Sequence, residues 1–139
     1  MPRRLLLSLV LIGLLALPTV AFAASKNGIT PTSPKAGKTI PVGKRPTMKG
    51  KVSGPGQVYV HVCKSRKKDK DGLICTDEAI KRAKKSGGKF SVKLPFFDFP
   101  EFWLNSPGTY YWQAHRIACE GGDISDCRQE GPIVKVKVG

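Results

Sequence analysis

What this chain lacks narrows its chemistry before anything else. It has two histidines, His61 and His115, and neither stands in a motif that supplies a nucleophile; Gly-x-Ser-x-Gly is absent. Its four cysteines are never spaced Cys-x-x-Cys, which removes both the ligand spacing of a zinc knuckle and the pair of a thioredoxin-like redox protein. Acids are scarce, ten Asp+Glu against 24 Lys+Arg. A calcium-loop template can be laid over residues 67–78, with Asp69, Asp71, Gly72, Ile74 and Glu78 in step. Lys67, however, puts a cation where the first carboxylate belongs, and an Asp-x-Asp-Gly turn accounts for the pattern better. Glu120, Asp123 and Asp126 read as a solvated loop. No catalytic residue, metal site or cofactor is assigned, and the chain is not expected to be an enzyme.

Long apolar runs are also missing, with one exception. Arg3 and Arg4 precede an apolar stretch over residues 5–17, interrupted in polarity only by Ser8 and followed by Pro18 and the small-residue pattern Ala21-Phe22-Ala23. Thirteen residues are too few to span a bilayer comfortably, and the whole reads as a secretory signal peptide over 1–23, cleaved before Ala24. No cysteine follows the cleavage site to carry a lipid, so a secreted, extracellular product is expected. What remains is one domain of ordinary size. Without Arg3 and Arg4 it carries 22 Lys+Arg against 10 Asp+Glu, a net charge of +12. Four cysteines in an exported chain imply two disulfides. Three pairings are possible; the local one, Cys63 with Cys75 and Cys119 with Cys127, is favoured, and closing a loop of about a dozen residues contributes about 3 kcal/mol.

The remainder is dominated by strand signals. Residues 24–38, rich in Lys, Pro, Gly, Ser and Thr, are expected to form a flexible segment, with the folded domain over 39–139. Pro31, Pro34 and Pro41 confine any pairing in this region to an edge, because proline donates no ladder hydrogen bond. Residues 46–52 read as a strand with Met48 and Val52 inward. The cleanest alternation is over 57–63: Val58, Val60 and Val62 point one way, while Gln57, Tyr59, His61 and Cys63 point to a wetter side. Pro107-Gly108 is a turn opening a strand with Tyr110, Trp112 and Ala114 on one face, and a bulge near His115 or Arg116 would bring Ile117 to the same side. The last strand alternates Val134, Val136 and Val138 with Lys135 and Lys137.

Over 77–86 two readings stay open. Thr76 as a cap, acids in the first turn, bases in the last and Gly87 as a stop favour a short helix. Alternatively, Gly87-Gly88 turns a hairpin between a strand near Ile80 and one over 89–94, where Phe90, Val92 and Leu94 alternate with polar residues. Six or seven short strands with sequence-local connections describe an antiparallel β-sandwich.

Ser33-Pro34 with Gly37, then Arg45-Pro46-Thr47, Tyr59-Val60-His61-Val62 and Pro107-Gly108-Thr109-Tyr110-Tyr111-Trp112 resemble the successive landmarks of a bacterial secreted fibronectin type III or immunoglobulin-like domain. The resemblance implies an immunoglobulin-like sandwich, adhesion or spacing roles without catalysis, and a corner role for Tyr110, bonding back to the connection before it. Within such a sandwich the loop after residue 63 and the aromatic connection over 95–106 leave from one end, and the loop between Cys119 and Cys127 from the other. Residues 64–89 carry a net +6 and residues 94–130 a net −4. Arg66, Lys67, Lys68, Lys81, Arg82, Lys84 and Lys85 are therefore the candidate anion-binding cations, with Phe97, Phe99 and Trp103 as an aromatic rim. The ligand such a surface would take is an anionic polysaccharide, a cell-wall phosphate polymer or nucleic acid; the other reading is that Phe97, Phe99 and Trp103 close the bottom of the core and the lysines only keep the protein soluble. Two other roles stay open. One is a small-molecule carrier, suggested by a resemblance to actinobacterial chromoprotein carriers in size, export and local disulfides. The other is a cationic inhibitor or antimicrobial protein.

Overall fold

The computed structural model describes residues 24–70, 72–74, 80–93, 106–119 and 127–139. These residues form nine β-strands in two sheets, more strands than the six or seven expected, and no helix. The strands are β1 (Ile29–Ser33), β2 (Thr39–Ile40), β3 (Thr47–Val52), β4 (Gln57–Cys63), β5 (Ile80–Arg82), β6 (Lys84–Ser86), β7 (Lys89–Lys93), β8 (Gly108–Ile117) and β9 (Arg128–Val138). A four-stranded sheet has the order β1-β3-β7-β6, and a five-stranded sheet has the order β2-β9-β8-β4-β5. All pairings are antiparallel except the short β2 along β9.

The alternation in each strand decides what lies between the layers. β4 contributes Val58, Val60 and Val62, β8 contributes Tyr110, Trp112 and Ala114, and β9 contributes Val134, Val136 and Val138. Met48 and Val52 come from β3, Phe90 and Val92 from β7. Trp112 is fully buried, and its indole N–H donates to the carbonyl of Pro34 at 3.2 Å, satisfying the one polar atom of that ring. Gly50 lies within β3 because the Phe90 ring packs directly over it from the opposed position on β7. A Cβ at Gly50 would also stand 2.7 Å from the carbonyl oxygen of Thr30 on β1.

Three expectations need correction. Ile29 is fully buried and β1 pairs with β3, so the sandwich takes in residues 29–33 from the stretch assigned to a flexible segment; Pro31 is tolerated because β1 is an edge strand. The helix over 77–86 does not form across its described part, where residues 80–86 are β5 and β6 around Ala83. Caps and terminal charges are worth little without an apolar stripe to bury, whereas here Ala83 N–H donates to Val58 C=O at 2.8 Å and the neighbouring strands supply ladders. The hairpin reading holds for the turn and β7, with φ of +56° and +71° at Gly87 and Gly88, the sign a two-residue primed turn requires at both positions, but its first strand is β6, while the strand near Ile80 is β5 and pairs with β4 in the other sheet. Residues 77–79 lie outside the described residues. Finally, the irregularity near His115 adds its residue to β9, around Gly131-Pro132, while β8 runs unbroken against β4 as far as Ile117, which is half-buried rather than in the core.

Candidate anion-binding face

The outward side of the four-stranded sheet follows from the same alternation that fills its inward side. In β3, Met48, Gly50 and Val52 are buried, so Lys49 and Lys51 face solvent. In β7, Phe90 and Val92 are buried, leaving Lys89, Ser91 and Lys93 outward. β6 pairs Lys84 with Ser91 and Ser86 with Lys89, which sets Lys84 and Ser86 on that same side. Reading across the strands gives one row of Thr30, Lys51, Lys89 and Ser86, a second of Ser33, Lys49, Ser91 and Lys84, and a third of Thr47 and Lys93.

Every charge on this face is an exposed lysine: Lys49, Lys51, Lys84, Lys89 and Lys93. No acid occurs in any of the four strands, and the first acid in the whole chain is Asp69. Adjacent strands lie about 4.8 Å apart and outward residues on one strand about 6.7 Å apart, so the five lysines are grouped within a compact area. Lys51 stands directly opposite Lys89, a like-charge pair across the ladder. Such a pair costs about 0.2–1 kcal/mol, and among the described residues no acid on the face neutralises it.

The outward side of the five-stranded sheet is built differently. Tyr59, His61, Gln113 and His115 occupy it in register, Tyr59 opposite His115 and His61 opposite Gln113. The basic loop folds back over them: Leu73 and Ile74 are buried, and with them His61, Gln113 and His115. The side expected to be wetter is therefore closed at His61 and Cys63. Ile74 N–H donates to Gln113 Oε1 at 3.1 Å, and Gln113 Nε2–H donates to the carbonyl of Gly131 at 3.0 Å. Asp69 turns the loop by accepting from Leu73 N–H at 2.9 Å. His61 Nε2 and His115 Nδ1 share one hydrogen bond at 2.5 Å, and the Tyr59 ring stacks on His115. Burial, with the charges of His61 and Arg128 beside it, pulls the His115 pKa down to about 3 against a smaller opposing effect of Asp69.

The cations selected from sequence do not converge. Arg66, Lys67 and Lys68 ride on the loop over the five-stranded sheet, Lys81 and Arg82 lie on β5 at that sheet's edge, and Lys84 alone joins the lysine face. Lys85 is engaged elsewhere, donating to the carbonyls of Gly54 at 2.8 Å and Gly56 at 3.2 Å. Arg116 likewise serves structure, bridging Ser53 and Asn27 carbonyls and the Gln129 side chain. Lys26 pairs with Glu130 at 2.6 Å. Burial pushes the Glu130 carboxyl up, but the bond from Lys26, its own backbone N–H and the charges of Lys26 and Lys68 outweigh that and hold it below its ordinary value. Sequence reasoning passed over Lys49, Lys51, Lys89 and Lys93, although the strict Lys-x-Lys spacing within β3 and Lys-x-Ser-x-Lys within β7 carried the signal.

Cys119 and Cys127 form a disulfide as expected, with Cα atoms 5.5 Å apart. Cys63 is also disulfide-bonded, and Cys75, its expected partner, lies outside the described residues. Phe97, Phe99 and Trp103 lie outside them too, as do residues 1–23, Asp71, Glu78, Glu120, Asp123 and Asp126. Among the described residues no group of three or more His, Cys, Asp or Glu could hold a metal ion, and no helix is long and apolar enough to cross a membrane. No family model, curated protein or solved structure matches the chain.

Proposed function

We propose that this protein is a non-catalytic, secreted, immunoglobulin-like module that binds an anionic component of the cell envelope or extracellular space through the lysine face of its four-stranded sheet. The observation that carries the reading is that face itself: five lysines in register, no acid, and an unrelieved Lys51–Lys89 opposition. A solubilising surface mixes both signs of charge; a single-sign field on one rigid face is what attracts a polyanion.

The immunoglobulin-like assignment draws support from strand order. With letters in chain order for the main strands, β1-β3-β7-β6 corresponds to A-B-E-D, and β9-β8-β4 to G-F-C, with β2 and β5 as added edges. Tyr110 supports it as well: its hydroxyl donates to the carbonyl of Ser106 at 3.0 Å, a bond back to the preceding connection from near the start of the F-like strand. An open cleft of about 540 Å³ beside Gly56, Gln57, Arg82 and Lys84 is lined by polar groups and backbone, which suits the carrier alternative poorly.

The test is retention on an immobilised anionic envelope polymer at low ionic strength. The unaltered protein should bind and elute at about 0.5 M salt. Charge reversal at Lys49, Lys51 and Lys89 together should abolish retention, whereas reversal at Arg66, Lys67 and Lys68 should leave most of it. Equal retention of the two variants would sink the reading.

A further inference from the structure

The make-up of the lysine face says more about its ligand than that it is negative. Its outward side chains are Lys, Ser and Thr throughout: Lys49, Lys51, Lys84, Lys89 and Lys93 with hydroxyls between them. A surface that reads sugars needs acceptors for hydroxyl protons, from carboxylates or amides, and aromatic rings for the apolar ring faces; among the described residues neither kind stands on this face. One that reads bases needs stacking platforms, and among the described residues the face has none. Carboxylates are best matched by the planar fork of arginine, yet all five cations are lysines, which act as compact, strongly hydrated point charges. The five lysines are spread over three strands, so a single small anion meets only one or two of them and a chain touching several at once binds best.

Resting on the anion-binding reading above, we infer that the lysine face takes a linear phosphate polymer, one whose repeating feature is its charge, and reads neither sugar nor base. The hydroxyls of Ser91 and Ser86, each directly opposite a lysine, donate to phosphate oxygens between the ammonium groups. Lys51 and Lys89, neighbours across a strand spacing of about 4.8 Å, each pair with one of two nearby phosphates of the chain, which relieves their mutual repulsion only in the complex.

Calorimetric or fluorescence titration of the purified protein with long-chain inorganic polyphosphate, polygalacturonate and dextran sulfate tests this. Five neutralised phosphates give a slope of log K against log salt of about −3.5, so polyphosphate affinity should fall about a hundredfold between roughly 50 and 200 mM salt. Orthophosphate should not compete at millimolar concentration, and polygalacturonate and dextran sulfate should bind at least tenfold more weakly than polyphosphate. Lys51→Glu with Lys89→Glu should make the polyphosphate slope shallower by about 1.4 or more, with the fold verified by circular dichroism. Polygalacturonate or dextran sulfate binding as tightly as polyphosphate would overturn the phosphate assignment and leave the anion-binding reading standing. A full slope in the Lys51/Lys89 variant, lost instead on reversing Arg66, Lys67 and Lys68, would move the site to the loop and overturn both. So would failure of all three polymers to bind.

Discussion

On the four-stranded sheet the solvent side is left bare, with lysines at 49, 51, 84, 89 and 93 and small hydroxyl residues between them. On the five-stranded sheet the equivalent side carries Tyr59, His61, Gln113 and His115 beneath residues 64–74, and Leu73 and Ile74 seal it. The two surfaces distribute different properties. Burying Leu73 and Ile74 contributes about 1.5–3 kcal/mol each, and every polar group drawn under the loop must then find a partner. The bare face buries nothing and carries a like-charge pair at some cost. Burial extends to one outer side of the molecule, whereas the strands of the other present an unmixed lysine charge.

Substitutions on the covered side should therefore have the largest effect. Ile74→Ala is expected to lower unfolding free energy by about 2–4 kcal/mol, measured by urea denaturation, while Lys49→Ala stays within about 0.5 kcal/mol. Comparable losses at both sites would erase the contrast.

Acidification should act on the same side. The unfolded chain takes up a proton at His115 near 6.5 that the folded protein refuses until about 3. Stability is then complete above 6.5 and drains as pH falls through that window, by about 2–4 kcal/mol. His115→Gln should flatten the midpoint-versus-pH curve between those values, and an unchanged slope would show that the imidazole is not the group responsible.

Gln113→Ala leaves Ile74 N–H and the Gly131 carbonyl without their bonds and should cost about 1–3 kcal/mol. Hydrogen exchange would place the loss in residues 72–74 before the rest of the fold. The smallest effect has the opposite sign: Lys89→Glu replaces a like-charge opposition with an ion pair and should raise stability by about 0.2–1 kcal/mol while weakening polyanion binding. A variant more stable and equally good at binding would mean that the repulsion serves no ligand.

Much of this architecture could be read from local chemistry. Val58, Val60 and Val62, or Tyr110, Trp112 and Ala114, bury one side of a strand because alternation leaves them no other arrangement, and Gly87-Gly88 can only turn. The destination of residues 64–74 was not legible. A run such as Lys67-Lys68-Asp69-Lys70 is written as a solvated loop, and only the docking of Leu73 and Ile74 against Gln113 turns it into a cover. The lysine face was half legible: its spacing stood in β3 and β7, but that the two strands are neighbours is a long-range fact that no local pattern contains. The densest basic run is the most visible one in the sequence, yet its cations disperse over a loop and two sheet edges.

Ala83 is the single residue between β5, on the border of one sheet, and β6, on the border of the other. One continuous hem thus finishes both layers on that flank. A foreign strand seeking to zip onto either layer must displace or flank a segment anchored in both, past Lys81, Arg82, Lys84 and Lys85. Self-association through this flank is accordingly disfavoured twice, by attachment and by charge.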